Sequence, residues 1–166
     1  MKLVKKLMES IREYKKASIL TPIFVTVEVV MEVLIPFVMA SLIDKGIEAG
    51  SMSVIWKYGI LLLVLAMISL AFGTLAGHQA SIASCGLSQN LRKDMYYRIQ
   101  NFSFSNIDKF STASIVTRLT TDVTNVQNAY QMIIRIAFRA PIMLVFALVM
   151  SFTINVKISL IFLATV

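Results

Sequence analysis

Residues 54–76 read VIWKYGILLLVLAMISLAFGTLA, and this stretch decides the fold of the chain. It has no charged residue after Lys57, and a helix needs about 20 apolar residues to cross a hydrocarbon core of about 30 Å. Trp56 and Tyr58 lie near its start, and aromatic side chains of this kind are enriched at the membrane interface. The stretch therefore predicts a membrane-spanning helix.

The composition of the whole chain agrees with a membrane protein. Of its 166 residues, 57% are hydrophobic and 15% are charged, and the mean hydropathy is +0.77. Soluble domains have about a quarter charged residues, so this chain has too little polar surface to cover a water-exposed globule. Disorder and a disulfide scaffold are excluded, because the chain is apolar and Cys85 is its one cysteine. The net charge of +7 indicates basic residues at the cytoplasmic membrane surface rather than a nucleic-acid interface.

Apolar runs on both sides of this stretch predict further spans. The first span is predicted at about 17–43 and the second at 54–76, with its helix continuing into the cytoplasm to about 104. The third is predicted within 115–154, which also includes a cytoplasmic extension. A fourth apolar segment starts at 156 and has about half the residues of a span. We therefore expect an all-α membrane protein with long transmembrane helices and cytoplasmic helical extensions, and a chain that is a piece of a larger protein.

The first 16 residues are predicted to form an amphipathic helix at the membrane interface. Their apolar side chains follow the spacing of one helix face, and lysine and arginine occupy the opposite face. Basic residues are concentrated here and between the second and third spans. The positive-inside rule therefore places the N-terminus and the long helical hairpin in the cytoplasm.

Charged residues occur within the predicted spans as well as between them. Glu28 and Glu32 are four residues apart and hence on one helix face, and an ionised carboxylate at bilayer depth costs about 2.5 to 3.5 kcal/mol. One interpretation is functional: the two glutamates line an aqueous pathway or pair with a basic group of a partner subunit. The other is structural: as protonated or hydrogen-bonded groups they orient the helices of the bundle. Arg135 and Arg139, also four residues apart, lie at the inner end of the third span. Their position favours snorkelling to the interface over contact with a solute.

A ladder of small residues occurs in the second predicted helix. It consists of Ser69, Gly73, Gly77 and Ser81. Small residues let helix backbones approach each other in a membrane. The ladder predicts close packing within one bundle rather than a dedicated dimer face.

No motif for catalysis or metal binding is present in the sequence. The chain has no G-x-x-x-x-G-K-[ST] phosphate loop, no H-E-x-x-H and no C-x-x-C. We therefore predict no enzymatic activity, no metal site and no cofactor bound by this chain alone.

One stretch between the second and third spans resembles a known family. Residues 107–123, IDKFSTASIVTRLTTDV, followed by VQN at 126–128, look like the first intracellular loop of ABC exporters of the type I fold. Residues 135–141, RIAFRAP, are similar to bacterial multidrug half-transporters that often work as heterodimers. The interfacial N-terminal helix and the long spans fit the same pattern, so the resemblance covers essentially the whole chain.

The resemblance implies a partial six-helix ABC exporter transmembrane domain in residues 17–166. A coupling helix near the tip of the hairpin would dock on a nucleotide-binding domain, which is absent from this chain and would bind ATP and Mg²⁺. The residues implied in docking are Phe110, Ser111, Thr112, Ala113, Ser114 and Ile115. Arg118 and Asp122 are predicted to brace the hairpin, because opposite charges at i, i+4 attract.

The implied function is export of amphipathic or drug-like solutes, peptides or lipids from the cytoplasm. The implied partners are membrane lipid, the nucleotide-binding domains, the solute and a second half-transporter, with a heterodimer favoured and the bacterial plasma membrane as the location. Two alternatives remain open at this point. One is a small membrane adaptor or regulator that binds a partner through its hairpin, and the other is an ion-coupled carrier that uses Glu28 and Glu32.

Overall fold

Helices make up nearly all of the computed structural model, which describes residues 9–101, 111–154, 156 and 159–160. The helices are α1 (Lys15–Leu42), α2 (Met52–Gln100), the short α3 (Thr112–Thr117) and α4 (Val123–Ile154). The described residues contain no strand. The prediction of an all-α membrane protein is confirmed.

Three helical stretches are long and apolar enough to cross a membrane. They are Arg12–Ile47, Met52–Gln100 and Ala113–Ile154, and they match the three predicted spans. Pro22 and Pro36 lie inside α1, which continues through both. Transmembrane helices tolerate proline because neighbouring groups satisfy the backbone carbonyls that it frees.

Irregular turns connect these helices. A π-helical turn at Ile43–Ile47 follows α1, and a second one at Arg118–Asp122 joins α3 to α4. Gly50, in the connection to α2, has a φ of 63°. This left-handed conformation favours glycine, because a Cβ atom would be strained there.

The segments predicted at the two ends of the chain lie largely outside the described residues. For the interfacial helix predicted at 1–16, the described part begins at residue 9 and departs from a regular helix. Ser10 and Ile11 form a turn, and Arg12 has a φ of 39° at the start of the 3₁₀ turn Arg12–Tyr14. The interfacial helix and the fourth span from residue 156 remain predictions.

Internal contacts divide the chain into two compact units. We call residues 1–21 and 77–135 the hairpin unit, and residues 22–76 and 136–166 the membrane unit. The division after residue 76 falls where the apolar density of the sequence drops and α2 is predicted to leave the membrane. The contact pattern and the hydropathy pattern therefore change at the same place along α2.

The core of the hairpin unit consists mainly of small side chains. Ala80 and Ala83 of α2 are fully buried with Ala17 of α1 and Ile134 of α4, and Tyr130 packs against them. Alanine on facing helices allows close backbone approach, which increases van der Waals contact.

The membrane unit has a small core and a largely apolar exterior. Its core consists of Val25, Val29 and Ala76, with Phe24, Val33 and Ile142 packed against them. Large apolar side chains such as Leu63 and Leu70 are more than half exposed. An exterior of this kind suits contact with lipid or with further apolar helices.

Candidate functional site

A charged cluster lies inside the membrane unit. Helix α1 presents Glu28 and Glu32 one turn apart, and α4 brings Arg139 to both of them. Arg139 Nη1 donates to Glu28 Oε1 at 2.9 Å. Arg139 Nη2 donates to Glu32 Oε1 at 2.8 Å and to Oε2 at 2.7 Å. One guanidinium therefore holds both carboxylates, and such charge-assisted bonds are the stronger class of hydrogen bond.

Burial differs between the members of this cluster. The Glu28 side chain is 11% exposed, whereas those of Glu32 and Arg139 are 32% and 35% exposed. Glu28 Oε2 is buried and has no hydrogen-bond partner within the described part of the chain. The cluster thus has one partly exposed side, at Glu32 and Arg139, and one enclosed side, at Glu28.

Gly73 of α2 makes the enclosed side possible. A Cβ atom added to Gly73 would lie 2.9 Å from Glu28 Oε1, closer than real Cβ atoms approach other atoms, and 3.1 Å from Glu28 Cδ, which is also a tight contact. A Cβ added to Gly77, the next residue of the predicted ladder, would meet no atom within 4 Å among the described residues. Of these two glycines, only Gly73 is in tight contact, and its partner is a carboxylate rather than a helix backbone.

The sequence predicted the shared face of Glu28 and Glu32 but not their partner. The structure brings them to Arg139 of the same chain, which lies more than a hundred residues away in sequence. The four-residue spacing of the glutamates was the available signal for one half of the cluster. The small-residue ladder marked Gly73 for close packing, but it did not identify the Glu28 carboxyl group as its neighbour.

Polar side chains link α2 to α4 within the hairpin unit. Arg92 donates to Thr124 at 3.1 Å, and Gln127 donates to the Cys85 sulfur at 3.3 Å. Gln131 contacts two serines of α2, donating to Ser81 at 3.3 Å and accepting from Ser84 at 3.4 Å. We call this set of contacts the hairpin seam. The sequence analysis did not predict it, because isolated polar residues on long helices do not show which helix they face.

The residues implied in docking are described only in part. Phe110 lies outside the described residues, and the side chain of Thr112 is likewise not described. Ser111 caps α3, since its side chain accepts a hydrogen bond from the Ser114 backbone N–H at 3.2 Å. Ala113 is exposed, and Ser114 and Ile115 are half-buried. Docking through these residues remains a prediction.

Arg118 and Asp122 occupy the two ends of the π-helical turn that precedes α4. Both side chains are exposed. A π-helical turn is wider than the α-helical turn that the bracing prediction assumed, and such turns are frequent at functional sites. The bracing role of these two residues remains a prediction.

The segment before α1 is attached to α2 within the hairpin unit. Arg12 donates to both oxygens of Asp94, at 2.9 and 3.1 Å, and Asn90 donates to the Ser10 carbonyl at 2.9 Å. Tyr14 lies against Gly86, where an added Cβ would overlap its ring. These contacts hold the chain in the turn that replaces a regular helix at Ser10–Tyr14.

The described residues contain no group of three or more histidine, cysteine or acidic side chains that could hold a metal ion. The polar contacts that the structure does show are ion pairs and hydrogen bonds, chiefly the charged cluster in the membrane unit, and the hairpin seam and the Arg12–Asp94 pair in the hairpin unit.

Comparison with known proteins identifies relatives over nearly the whole chain. The family described as the ABC transporter transmembrane region matches residues 18–166. The uncharacterized ABC transporter ATP-binding protein YfiB of Bacillus subtilis (strain 168) is 33% identical over 163 residues, which cover 98% of this chain and 28% of that relative. An uncharacterized ABC transporter ATP-binding protein of Mycobacterium tuberculosis (strain H37Rv) is 26% identical over 145 residues, covering 87% of this chain and 25% of the relative.

A third relative has a more specific name. The ATP-dependent lipid A-core flippase of Albidiferax ferrireducens is 25% identical over 124 residues, which cover 75% of this chain and 21% of that protein. The chain thus spans no more than 28% of the length of any of these three relatives.

Proposed function

The chain belongs to the family of ABC transporter transmembrane regions, and from this premise we propose that it forms part of the permease of an ATP-driven exporter. ATP and Mg²⁺ bind in this proposal to a nucleotide-binding domain outside the chain, so the chain itself does not hydrolyse ATP. Family membership favours this function over a membrane adaptor or an ion-coupled carrier.

The hairpin seam is the observation that supports this function best. An exporter must transmit closure of its ATPase domains to its membrane helices, and a rigid pair of helices can do so as a body. Arg92, Gln127 and Gln131 supply cross-helix bonds along α2 and α4, in addition to the alanine-rich core. The hairpin acts in this proposal as a lever that couples ATP hydrolysis to alternating access.

The end of this lever is the proposed docking element. It includes α3 and comprises Phe110, Ser111, Thr112, Ala113, Ser114 and Ile115. The serine cap and the exposure of Ala113 support a defined, accessible helix at this place. Arg118 and Asp122 brace the turn that joins it to α4.

We place the cluster of Glu28, Glu32 and Arg139 on the translocation pathway. Support comes from the partial exposure of Glu32 and Arg139 within an otherwise apolar unit. The transported molecules are amphipathic or drug-like solutes, peptides or lipids, and the relative named as a lipid A-core flippase is consistent with an amphipathic substrate.

The proposed assembly contains two transmembrane halves, with a heterodimer favoured by the similarity of residues 135–141 to such transporters. The N-terminus and the hairpin face the cytoplasm, and the membrane is the bacterial plasma membrane. The concentration of basic residues before α1 and in the hairpin supports this orientation.

The docking proposal is tested with Ile115→Asp in the full-length transporter, reconstituted in lipid vesicles. A charge in an apolar docking contact leaves a buried ion unpaired, so we expect at least a tenfold loss of solute-stimulated ATP hydrolysis, corresponding to about 1.4 kcal/mol. Tyr97→Asp is the matched control, since Tyr97 is an exposed residue of α2 outside the docking element. Equal stimulation in both variants, with equal membrane insertion, would remove the docking assignment.

A further inference from the structure

A row of threonine hydroxyls runs along α3, the π-helical turn that follows it and the start of α4. Thr117 donates to the Ala113 carbonyl at 2.9 Å, and Thr120 donates to the Val116 carbonyl at 2.8 Å. Thr124 donates to the Thr120 carbonyl, also at 2.8 Å. Each hydroxyl thus bonds to the carbonyl four residues earlier, and bonds of this kind often bend helices.

Thr124 differs from the other two threonines because its hydroxyl also contacts another helix. Arg92 of α2 donates from Nη2 to Thr124 Oγ1 at 3.1 Å. The hydroxyl therefore accepts a bond from a cation and donates its own proton to the Thr120 carbonyl. A hydroxyl that is polarised in this way donates more strongly. The bonds of Thr117 and Thr120 that the described part of the chain shows stay within α3 and the turn.

The carbonyl that Thr124 reaches belongs to the π-helical turn itself. Thr120 is the middle residue of Arg118–Asp122, and its carbonyl also accepts from the Val123 backbone N–H. A π-helical turn closes i→i+5 bonds, which makes it one residue wider than an α-helical turn. Conversion of the turn to α-helix would shift the register by one residue and rotate α3 about its axis by about 100°. The state of the turn therefore sets the direction in which the side chains of α3 point.

We propose that Thr124 is a positioning residue for α3. With Arg92 bonded to it, its hydroxyl holds the Thr120 carbonyl, stabilises the π-helical turn and so fixes the direction of α3. Two hydrogen bonds connect the α2 guanidinium to the turn along this path. The importance of this direction for docking rests on the proposed function, whereas the effect of the hydroxyl on the turn does not.

Backbone hydrogen exchange of the full-length protein in lipid vesicles, measured by mass spectrometry, tests the positioning role. Valine has the shape of threonine without the hydroxyl, so we expect Thr124→Val to raise exchange at residues 118–123 by about fivefold or more. Thr124→Ser keeps the hydroxyl and should stay within about twofold of the wild-type protein. Equal exchange in Thr124→Val and the wild-type protein would overturn the proposal, as would an equal increase in Thr124→Val and Thr124→Ser.

Thr117→Val is the matched control, because it makes the same substitution at a threonine whose bond stays within α3. It should change exchange at residues 118–123 by less than about twofold. An increase as large as that of Thr124→Val would show that the bond to α2 has no special part, and the proposal would fail.

Arg92→Met tests the path through the hydroxyl. Loss of the cation should raise exchange at residues 118–123 in the wild-type background but have little further effect in Thr124→Val, since the arginine acts on the turn through that hydroxyl. Additive effects of the two substitutions would contradict this path.

ATP hydrolysis by the same variants separates the positioning role from the proposed function. If α3 docks, Thr124→Val should lower the ratio of solute-stimulated to basal hydrolysis by about threefold or more, and Thr124→Ser should retain the ratio. Increased exchange with an unchanged ratio would support the positioning of the turn and overturn the docking of α3. Unchanged exchange in Thr124→Val would overturn the positioning role whatever the ratio.

Discussion

Gly73 is the single residue on which the geometry of the charged cluster depends most directly. A methyl group at this position would push the Glu28 carboxyl group away from α2 and strain its 2.9 Å bond with Arg139. The end of a glutamate side chain can move by a few tenths of an ångström, so the cost is that of a weakened charge-assisted bond rather than of a severe clash.

We therefore predict that Gly73→Ala lowers the stability of the full-length protein by about 1 to 2 kcal/mol, measured by thermal unfolding in detergent micelles. Gly77→Ala is the matched control, because a Cβ added there meets no atom within 4 Å in the described part of the chain, and alanine is the better helix former by about 0.5 to 1 kcal/mol. If the two variants unfold at the same temperature, Gly73 has no special contact.

Arg139 is the residue that joins α1 to α4 electrostatically within the membrane unit. Removing one partner of a fully buried ion pair costs about 3 to 5 kcal/mol, but Arg139 and Glu32 are about one-third exposed. We expect Arg139→Met to cost about 2 kcal/mol, since Glu32 and Arg139 are only partly buried.

Chemical or thermal unfolding of the full-length protein measures this loss. Arg135→Met is the control, as Arg135 lies one turn earlier on α4 and forms no ion pair within the described residues. A larger loss for Arg135→Met than for Arg139→Met would contradict a stabilising cluster.

At this scale, part of the candidate site was predictable from the sequence. A spacing of four residues on a helix fixes Glu28 and Glu32 on one face whatever the tertiary structure. Their pairing with Arg139 depends on how α1 packs against α4, and the contact with Gly73 depends on α2. Neither is contained in local spacing, so the sequence left Arg139 between an interfacial and a pathway role.

At the scale of elements, long apolar runs predicted the helices well. A run of about 20 apolar residues has few structural options in a membrane, because every backbone polar group must be satisfied within the segment. The same argument is weaker outside the membrane. The regular apolar spacing of the N-terminal segment predicted a helix through residue 16, whereas Ser10–Tyr14 form a turn held by contacts with α2.

The attachment of Tyr14 to Gly86 explains this departure from local propensity. The ion pair between Arg12 and Asp94 is exposed, at 51% and 32%, and such pairs contribute about 0 to 1 kcal/mol. Tyr14 instead packs its ring on Gly86 and donates from its hydroxyl to Gln89 at 3.3 Å. The aromatic contact is therefore the larger part of the attachment.

We predict that Gly86→Ala displaces the Tyr14 ring and increases backbone hydrogen exchange at residues 10–16 by at least tenfold. The expected cost is about 1 to 3 kcal/mol, which is typical of overpacking. In a double-mutant cycle, Gly86→Ala should have little further effect once Tyr14→Ala has removed the ring. Additive effects of the two substitutions would show that the residues do not interact.

At the scale of the whole molecule, each of the two units has its own set of polar contacts. The membrane unit holds the charged cluster, and the hairpin unit holds the polar seam between α2 and α4. From the drop in hydropathy, the sequence predicted that α2 leaves the membrane near residue 76, where the division of this helix falls. It did not predict the contacts, because hydropathy reports the surroundings of a helix and not its neighbours.

The seam provides the most direct test of the lever. In the full-length transporter, the double variant Gln127→Ala and Gln131→Ala removes three of its cross-helix bonds, those with Cys85, Ser81 and Ser84. A looser hairpin transmits less movement, so the ratio of solute-stimulated to basal ATP hydrolysis should fall by about threefold or more, corresponding to about 0.7 kcal/mol of coupling.

Gln100→Ala, at the end of α2, controls for the loss of a glutamine. Because the proposal places ATP hydrolysis in a domain outside this chain, basal hydrolysis should stay close to the wild-type rate. A fall in basal hydrolysis with an unchanged ratio would locate the defect in assembly and contradict a lever made rigid by the seam.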